Sequence, residues 1–218
     1  MTVRWRRRRE DPLRKPWRQS EYLVVDLETT GLDLKKDTIV SYGAVVIRDG
    51  RVITAESVYD LVRPRSAMSP EAIAVHTLRP ADVADAPPPD AAVHTLAALM
   101  TDRVVVAHSA WVEQAFLTRA FRDAGIRFRV PLIDTAALAR ACGTAPAGQR
   151  GDAGLEWLAT ALGLPVVDPH HALGDAVTTA QVFLVLASRL SGRGYGTARS
   201  LVDLTCGDRG LLSPPSGR

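Results

Sequence analysis

Cysteine, lysine and long apolar runs are scarce in this 218-residue sequence. The only cysteines, Cys142 and Cys206, stand in unrelated contexts with no CxxC pair. We therefore expect neither a disulfide framework nor a zinc site, and a reducing cytoplasm is the default compartment. No apolar run reaches the roughly 18 residues of a membrane span, so no membrane partner is expected. The charged N-terminus has no apolar segment behind it and does not read as a secretory signal.

Arginine takes the place of lysine, supplying 24 of the 27 basic residues, and the charges are unevenly placed. Residues 1–20 hold eight Lys or Arg and two acids, a net of +6, whereas the rest holds 19 basic and 22 acidic groups, a net of −3. We predict that 1–20 is a basic, flexible arm that could contact a polyanion such as nucleic acid. A general surplus of arginine is the alternative explanation. Trp5 and Trp17 in this arm could stack on bases or pack onto the domain.

The remaining composition, 46% hydrophobic, fits one globular domain with a substantial core, which we place at residues 21–190. A hairpin is predicted around Asp49-Gly50. Later apolar segments alternate between short strands and helices, which favours an α/β fold with a mixed β-sheet flanked by helices. Residues 191–218 are predicted to be a Gly-rich linker followed by a mobile tail.

The segment YLVVDLETTGLD, residues 22–33, places two carboxylates in a strand that is otherwise apolar on both faces. Asp26 and Glu28 are two residues apart, so their side chains share a face at a spacing of about 6.6 Å. Two like charges that close repel each other, and burial increases the cost. Either the strand end reaches solvent and the acids need no partner, or a cation binds there. This segment alone leaves both interpretations open.

A second acid lies in the apolar segment HHALGDAVTTAQVFLVLASRL, which predicts a buried helix. Asp175 is near the start of this helix, and His170 lies five residues earlier, just before it. Both could converge on the strand end that bears Asp26 and Glu28. Carboxylates are the ligands that Mg²⁺ and Mn²⁺ prefer, and a histidine beside them suits a general base that takes a proton from water. The HxxxxD spacing by itself is a weak signal.

Taken together, three motifs in order resemble those of the DEDDh 3′–5′ exonucleases, which are related to the proofreading subunit of bacterial replicative polymerases. VVDLETTGLD resembles the first motif, VVVAHSAWVEQAFLTRAF the second and HHALGDAVTTA the third. The segment LVRPRSAMSPEAIAVHTL resembles the family's linking segment. The resemblance extends from about Glu21 to Leu190. It implies a ribonuclease H-like fold and hydrolysis of phosphodiester bonds with two divalent ions, Mg²⁺ or Mn²⁺.

The resemblance also assigns roles to residues of this sequence. His170 would be the general base. The metal ligands would be Asp26, Glu28, Glu113 and Asp175. The terminal nucleotide would contact Thr29, Gly31, Leu32, Glu71 and His76.

This sequence departs from the family pattern at three positions. Glu113 stands where the second motif usually has Asp, Ser109 where Asn is usual, and Thr77 where Gly is frequent. The first hypothesis is a 3′–5′ exonuclease that releases nucleoside 5′-monophosphates from single-stranded DNA in repair or proofreading, with a DNA polymerase as a further candidate partner. The alternatives are an exoribonuclease that acts on the 3′ ends of short RNA and a catalytically silent nucleic-acid-binding module.

Overall fold

A computed structural model describes residues 2–4, 12–144 and 152–207 of the chain. Its centre is a five-stranded mixed sheet in the order β4-β3-β2-β5-β7, in which β2 pairs antiparallel with β3 and parallel with β5. A separate two-stranded parallel sheet joins β1 to β6. The strands, in chain order, are β1 (Thr2–Arg4), β2 (Tyr22–Thr29), β3 (Ile39–Arg48), β4 (Arg51–Leu61), β5 (Val104–Ala107), β6 (Arg127–Arg129) and β7 (Leu132–Asp134).

Helices cover both faces of the large sheet, as the sequence predicted. The helices are α1 (Pro70–His76), α2 (Pro89–Leu99), α3 (Trp111–Asp123), α4 (Thr135–Cys142), α5 (Leu155–Ala161), α6 (Ala172–Ser191) and α7 (Ala198–Gly207). The predicted hairpin is also confirmed, because Asp49 and Gly50 both have positive φ between β3 and β4.

Strand β2 is buried on both faces, which explains its apolar sequence. Tyr22 and Val24 point into a core shared with α4, α6 and α7. Leu23 and Val25 point into the opposite core, beneath α2 and α3. Since Asp26 continues the alternation of Tyr22 and Val24, its carboxylate faces the layer that contains α6.

The predicted boundaries of the domain are wrong at both ends. Leu13 and Trp17 are buried in the core, and Trp17 packs edge-on against Phe183 with ring centroids 6.0 Å apart. Apolar side chains at the end of the supposed arm therefore bury themselves on the domain instead of extending from it. Trp17 packs rather than remaining available for bases. Residues 5–11, which include Trp5 and four of the arginines of the arm, lie outside the described residues.

The C-terminal segment is likewise part of the fold. Helix α7 buries Leu201 and Val202 in the same core, and Thr205 accepts a hydrogen bond from the backbone N–H of Asp134 at 3.0 Å. The backbone N–H of Trp17 donates to the carbonyl of Gly196 at 3.0 Å, so the two ends of the domain support each other. The predicted linker and tail therefore contain a docked helix; the part of the tail from 208 onward is outside the described ranges.

Helix α6 is long and apolar enough to cross a membrane by length and composition, with a mean hydropathy of 1.2 over its most apolar window. Polar residues interrupt its sequence, so the absence of a long apolar run did not predict such a helix. However, 56% of that window is buried inside the fold, against the sheet and α4. Its apolar character is that of a core helix, and it provides no argument for a membrane.

Candidate active site

The candidate site lies at one edge of the sheet, where β2, β5 and β7 end. These three strands are mutually parallel, so the residues at their carboxyl ends meet at the same edge, where ligands commonly bind in α/β sheets. Asp26 and Glu28 are near the end of β2, His108 follows β5, and Asp134 is the last residue of β7. This topology gathers polar residues that are far apart in sequence.

A glycine on β3 allows α6 to approach this edge. Gly43 pairs with Asp26 across the ladder, and a Cβ at Gly43 would lie 2.2 Å from the α6 backbone at Ala172 and Leu173. No other residue could occupy this position without moving the helix. The close contact brings the first turn of α6, and with it Asp175, beside the end of β2.

Asp26, Glu28 and Asp175 form what we call the acid cluster. One carboxylate oxygen from each lies within 4.8 Å of those of the other two. Burial raises the pKa of Asp26, and the charges of Glu113, Glu28 and Asp175 raise it further. Burial and the charge of Asp175 together raise the pKa of Glu28 to about 8. The described residues therefore supply too little positive charge near these three carboxyl groups for all of them to ionise together.

Glu113, the residue that departs from the family pattern, is in the first turn of α3 and only 4% exposed. It is not one of the three acids of the acid cluster. Its charge nevertheless acts on Asp26, and its Oε2 has no hydrogen-bond partner among the residues that the structure describes. Burial, followed by the charges of Asp134 and Glu28, raises the pKa of Glu113 to about 8. Glu113 is therefore not a plain exposed residue of a helix surface.

Asp134 is a further buried acid at this edge that the sequence analysis did not select. It is fully buried, and its Oδ1 accepts a hydrogen bond from the Ala136 N–H at 2.9 Å as the N-cap of α4. Burial raises the pKa of Asp134, backbone N–H groups of Ala136, Ala110 and Ser109 oppose that shift, and its charge raises the pKa of Glu113. An acid that ends a buried strand and begins a helix looks like an ordinary cap in the sequence. Its place at the end of a parallel strand was the signal that could have revealed it.

The two adjacent histidines have different surroundings. The backbone N–H of His170 donates to Asp175 Oδ2 at 3.0 Å, while its imidazole Nε2 lies 3.3 Å from Glu156 Oε1 on α5. The ring of His171 stacks instead on Tyr59 of β4, with centroids 4.2 Å apart. His170 is thus attached to the acid cluster by its backbone and carries an exposed imidazole, whereas His171 packs against the sheet.

A cavity of about 360 Å³ opens beside the acid cluster, and we call it the Leu32 cavity. Glu28 lines it, so it adjoins the acids directly. Its other lining residues include all five predicted contacts of the terminal nucleotide: Thr29, Gly31, Leu32, Glu71 and His76. Leu32 and Val75, which are 68% and 50% exposed, both line the cavity and give it an apolar rim. The volume and the mixed apolar and polar lining suit one nucleotide.

A family model described as "Exonuclease" (RNase_T) matches residues 23–183, most of the chain. The chain belongs to the DEDDh exonucleases. Among curated relatives, a DNA polymerase III subunit epsilon-like protein of Rhodobacter capsulatus is 35% identical over 81% of this chain and 25% of its own length. A DNA polymerase III PolC-type protein of Staphylococcus haemolyticus is 26% identical over 84% of this chain and 12% of its own. The chain therefore spans a quarter or less of these relatives.

Solved structures show the same fold. Exonuclease X in complex with 5′ overhanging duplex DNA superposes with a TM-score of 0.67 at 26% identity, covering 84% of this chain and 99% of that one. E. coli Exonuclease I in complex with a dA16 oligonucleotide gives a TM-score of 0.72 at 18% identity, covering 88% of this chain and 44% of that one. The predicted ribonuclease H-like fold is thereby confirmed.

Two of the three departures of this DEDDh chain fall where the backbone is left-handed. Thr77, at the C-terminal end of α1, has φ 63°, and Ser109, after β5, has φ 50°. Glycine and asparagine, the usual family residues, adopt this conformation at lower cost than threonine or serine. The family's preference at these positions therefore has a backbone explanation, and this chain keeps the conformation without the favoured residue.

The donor set at the edge fits divalent cations. Every acid there offers only oxygen, Glu113 has a buried oxygen without a partner, and no soft ligand is close among the described residues. Within that part of the chain, no Lys or Arg neutralises Asp26, Glu28 or Glu113. The acid cluster could hold one ion, and Glu113 could help to hold a second.

Proposed function

We propose that the chain is a metal-dependent 3′–5′ exonuclease that releases nucleoside 5′-monophosphates from single-stranded DNA in repair or proofreading. The observation that carries this proposal is the contact between the acid cluster and the Leu32 cavity through Glu28. A cavity sized for one nucleotide beside a set of acids would bring the scissile phosphate of a chain end to the proposed metal ligands. The preference for DNA rests on relatives and solved structures that are named for DNA polymerases or DNA complexes.

In this proposal the residues divide the work. Asp26, Glu28, Asp175 and Glu113 would hold two Mg²⁺ or Mn²⁺ ions, which when bound supply an activated water and stabilise charge on the phosphate oxygens. Thr29, Gly31 and Leu32 would hold the terminal base and sugar from one side, and Glu71 and His76 from the other. These residues orient the end of the strand so that its last phosphodiester reaches the acids.

His170 would act as the general base that takes the proton from the attacking water. Its backbone is bonded to Asp175, and its imidazole, which contacts Glu156, would have to turn toward the water. His171 is the alternative base on sequence grounds. Its stacking on Tyr59 argues against that role.

The direct test uses the purified chain with Mg²⁺, with Mn²⁺ and with EDTA on matched DNA and RNA oligonucleotides labelled at either end. The 3′ label should appear at once as a mononucleotide, while the 5′ label should mark a ladder of shortening strands. Cleavage of RNA in preference to DNA would instead support the exoribonuclease, which a 2′-hydroxyl contact in the cavity would favour. Binding without cleavage under every metal condition would leave the silent module and overturn the proposal.

A DNA polymerase as a partner is a further part of the proposal, supported by the polymerase relatives. Co-purification with a polymerase of the same organism, compared with an Asp26→Ala form to keep substrates intact, would test it. A chain that remains alone at micromolar concentrations of both proteins would contradict it.

A further inference from the structure

The Leu32 cavity has two walls that come from different parts of the chain. One is the loop after β2, which carries Leu32 at its tip. The other is α1, which contributes Glu71, Val75 and His76. Leu32 and Val75 are 68% and 50% exposed. The width of the cavity therefore depends on how the loop is held relative to the helix.

A row of hydroxyl groups behind the cavity connects these walls. Thr30 is fully buried, and its hydroxyl donates to Asp37 Oδ1 at 2.9 Å. Because a carboxylate only accepts, the remaining contacts have one direction. Ser66 donates to Thr30 at 2.8 Å, Thr38 donates to Ser66 at 3.1 Å, and the Arg65 N–H donates to Thr38 at 3.2 Å. We call Thr30, Asp37, Thr38 and Ser66 the Thr30 network.

The second oxygen of Asp37 closes the loop itself. Asp37 Oδ2 accepts the backbone N–H of Asp33 at 2.7 Å. Gly31 packs directly on the same carboxylate, since a Cβ at Gly31 would lie 2.5 Å from that oxygen. The residues on both sides of Leu32 are therefore fixed by one side chain.

Thr30 is also bonded to the other wall through its backbone. Its carbonyl accepts the N–H of Ser69 at 2.8 Å, and Ser69 is the N-cap of α1, accepting from the Ala72 N–H at 3.1 Å. One buried residue thus joins the loop, the segment that precedes α1 and the first turn of α1. Thr30, Asp37 and Ser66 do not themselves line the cavity.

We propose that Thr30, Asp37 and Ser66 are positioning residues that fix the Leu32 loop against α1 and so set the width of the cavity for the terminal nucleotide. This inference rests on the proposed function. Since the three side chains are behind the cavity, their loss should weaken binding of the terminal nucleotide and leave the acid cluster intact. A fixed width would also favour a single unpaired base over a base pair, which is wider.

The test compares Thr30→Val, which keeps the shape and removes the hydroxyl, with Thr30→Ser, which keeps the hydroxyl. Calorimetry with deoxythymidine 5′-monophosphate in Mg²⁺ should show about tenfold weaker binding for Thr30→Val, equal to about 1.4 kcal/mol. The KM for single-stranded DNA should rise by a similar factor while kcat stays within about twofold, and Mn²⁺ binding measured by electron paramagnetic resonance should not change. Thr30→Ser should stay close to the starting protein in all three measurements.

Asp37→Asn gives an independent variant, because the Thr30 hydroxyl and the Asp33 N–H donate to different oxygens of Asp37, and an amide replaces one of them with an NH2 group that cannot accept. It should lose preference for single-stranded over blunt-ended DNA, measured as the ratio of kcat/KM values. Lys36→Gln is the matched control, since Lys36 is in the same loop and its ammonium pairs with Asp33 at the surface. If a Thr30 variant proves unstable, Ser66→Ala at a temperature where both proteins are folded replaces it.

The outcomes distinguish failure of the proposed function from failure of this inference. A starting protein that neither binds the nucleotide nor cleaves any strand would overturn the proposed function and this inference with it. A cleaving protein in which Thr30→Val and Thr30→Ser behave alike, or in which kcat falls while KM is unchanged, would overturn this inference alone.

Discussion

Within five residues of β2 and its loop, the chain makes two polar sites of opposite character. At Asp26 and Glu28 the acids face other acids, their pKa values are raised, and the neighbouring Glu113 leaves an oxygen without a partner in the described part of the chain. At Thr30 the hydroxyl has three polar contacts and a single consistent direction of donation. The acid cluster is consistent with a metal site, whereas the hydroxyl and carboxylate groups of the Thr30 network satisfy one another. The first site can accept a ligand, and the second holds a loop in place.

The largest effect should come from breaking the acid cluster. Asp26→Ala and Asp175→Ala should each remove nearly all turnover, because each takes away an oxygen that the other acids cannot replace, and EDTA should do the same. The release of mononucleotide from a labelled strand measures this. Undiminished turnover in either variant would contradict the metal assignment.

Removal of the proposed general base should lower turnover less than removal of a proposed metal ligand. His170→Ala should lower kcat by about two to four orders of magnitude, the usual contribution of a positioned base, with little change in DNA binding. His171→Ala is the matched control and should affect kcat far less, since its ring packs on Tyr59. A crippling effect of His171→Ala would show that the roles are exchanged.

Substitutions of Glu113 test whether this residue acts together with the acid cluster. Glu113→Asp should stay within about tenfold of the starting rate, a barrier change of about 1.4 kcal/mol, because the charge remains. Glu113→Gln should lose more, since it keeps the shape and removes the charge, and the loss should be greatest at low Mg²⁺. Equal rates for Glu and Gln across a Mg²⁺ titration would remove Glu113 from the site.

The stability of the metal-free protein should depend on pH because the buried carboxylates repel one another. The pKa values of Glu28 and Glu113 are raised from 4.5 to about 8, so the folded state holds protons that the unfolded state releases. Stability should therefore fall as the pH rises from about 4.5 to about 8, and this loss is a cost of the acids in the native state. Melting curves in EDTA should show the decline, and Mn²⁺ should reduce it.

The same experiment separates stability from function at one residue. Glu113→Gln should melt higher than the starting protein at pH 8 in EDTA, although it should turn over more slowly in Mg²⁺. A lower melting temperature for this variant would mean that Glu113 has a stabilising partner in the metal-free fold.

The smallest effect is expected at Thr77, the residue that ends α1. Thr77→Gly should stabilise the protein by about 1 kcal/mol, because a β-branched residue at φ 63° is strained there. For a chain of this size that is a rise of about 2–4 °C in melting temperature. Thr77→Ala serves as the control, since it keeps a Cβ and should gain little.

The sequence predicted those parts of the site that depend on local spacing. The alternation of β2 places Asp26 and Glu28 on one face, and the apolar helix with an early Asp175 predicts an acid at its buried end. The sequence could not show that Gly43 lets α6 contact β3. That contact depends on the distance between two segments far apart in the chain, which neither segment determines alone. Asp134 was missed because an N-cap acid is common, and only the parallel order of β5 and β7 gives it a place at the site.

The ends of the domain were predicted wrongly for a related reason. Basic charge around Leu13 and Trp17, and glycines before α7, outweighed the few apolar residues on which burial depends. Two apolar residues, Leu201 and Val202, do not identify a docked helix in the sequence. Their burial is visible only once the core that they join is known. Charge and glycine content describe how a segment behaves alone, whereas these segments are held by each other.

The pairing of the two ends has a consequence for synthesis of the protein. The backbone N–H of Trp17 donates to the carbonyl of Gly196, which is synthesised much later than Trp17. The Asp134 N–H likewise has to wait for Thr205. Contacts between such distant segments form slowly, so the nascent chain should hold an incomplete domain until α7 emerges. The end of β7, where Asp134 meets the candidate site, would therefore be braced only after α7 has left the ribosome.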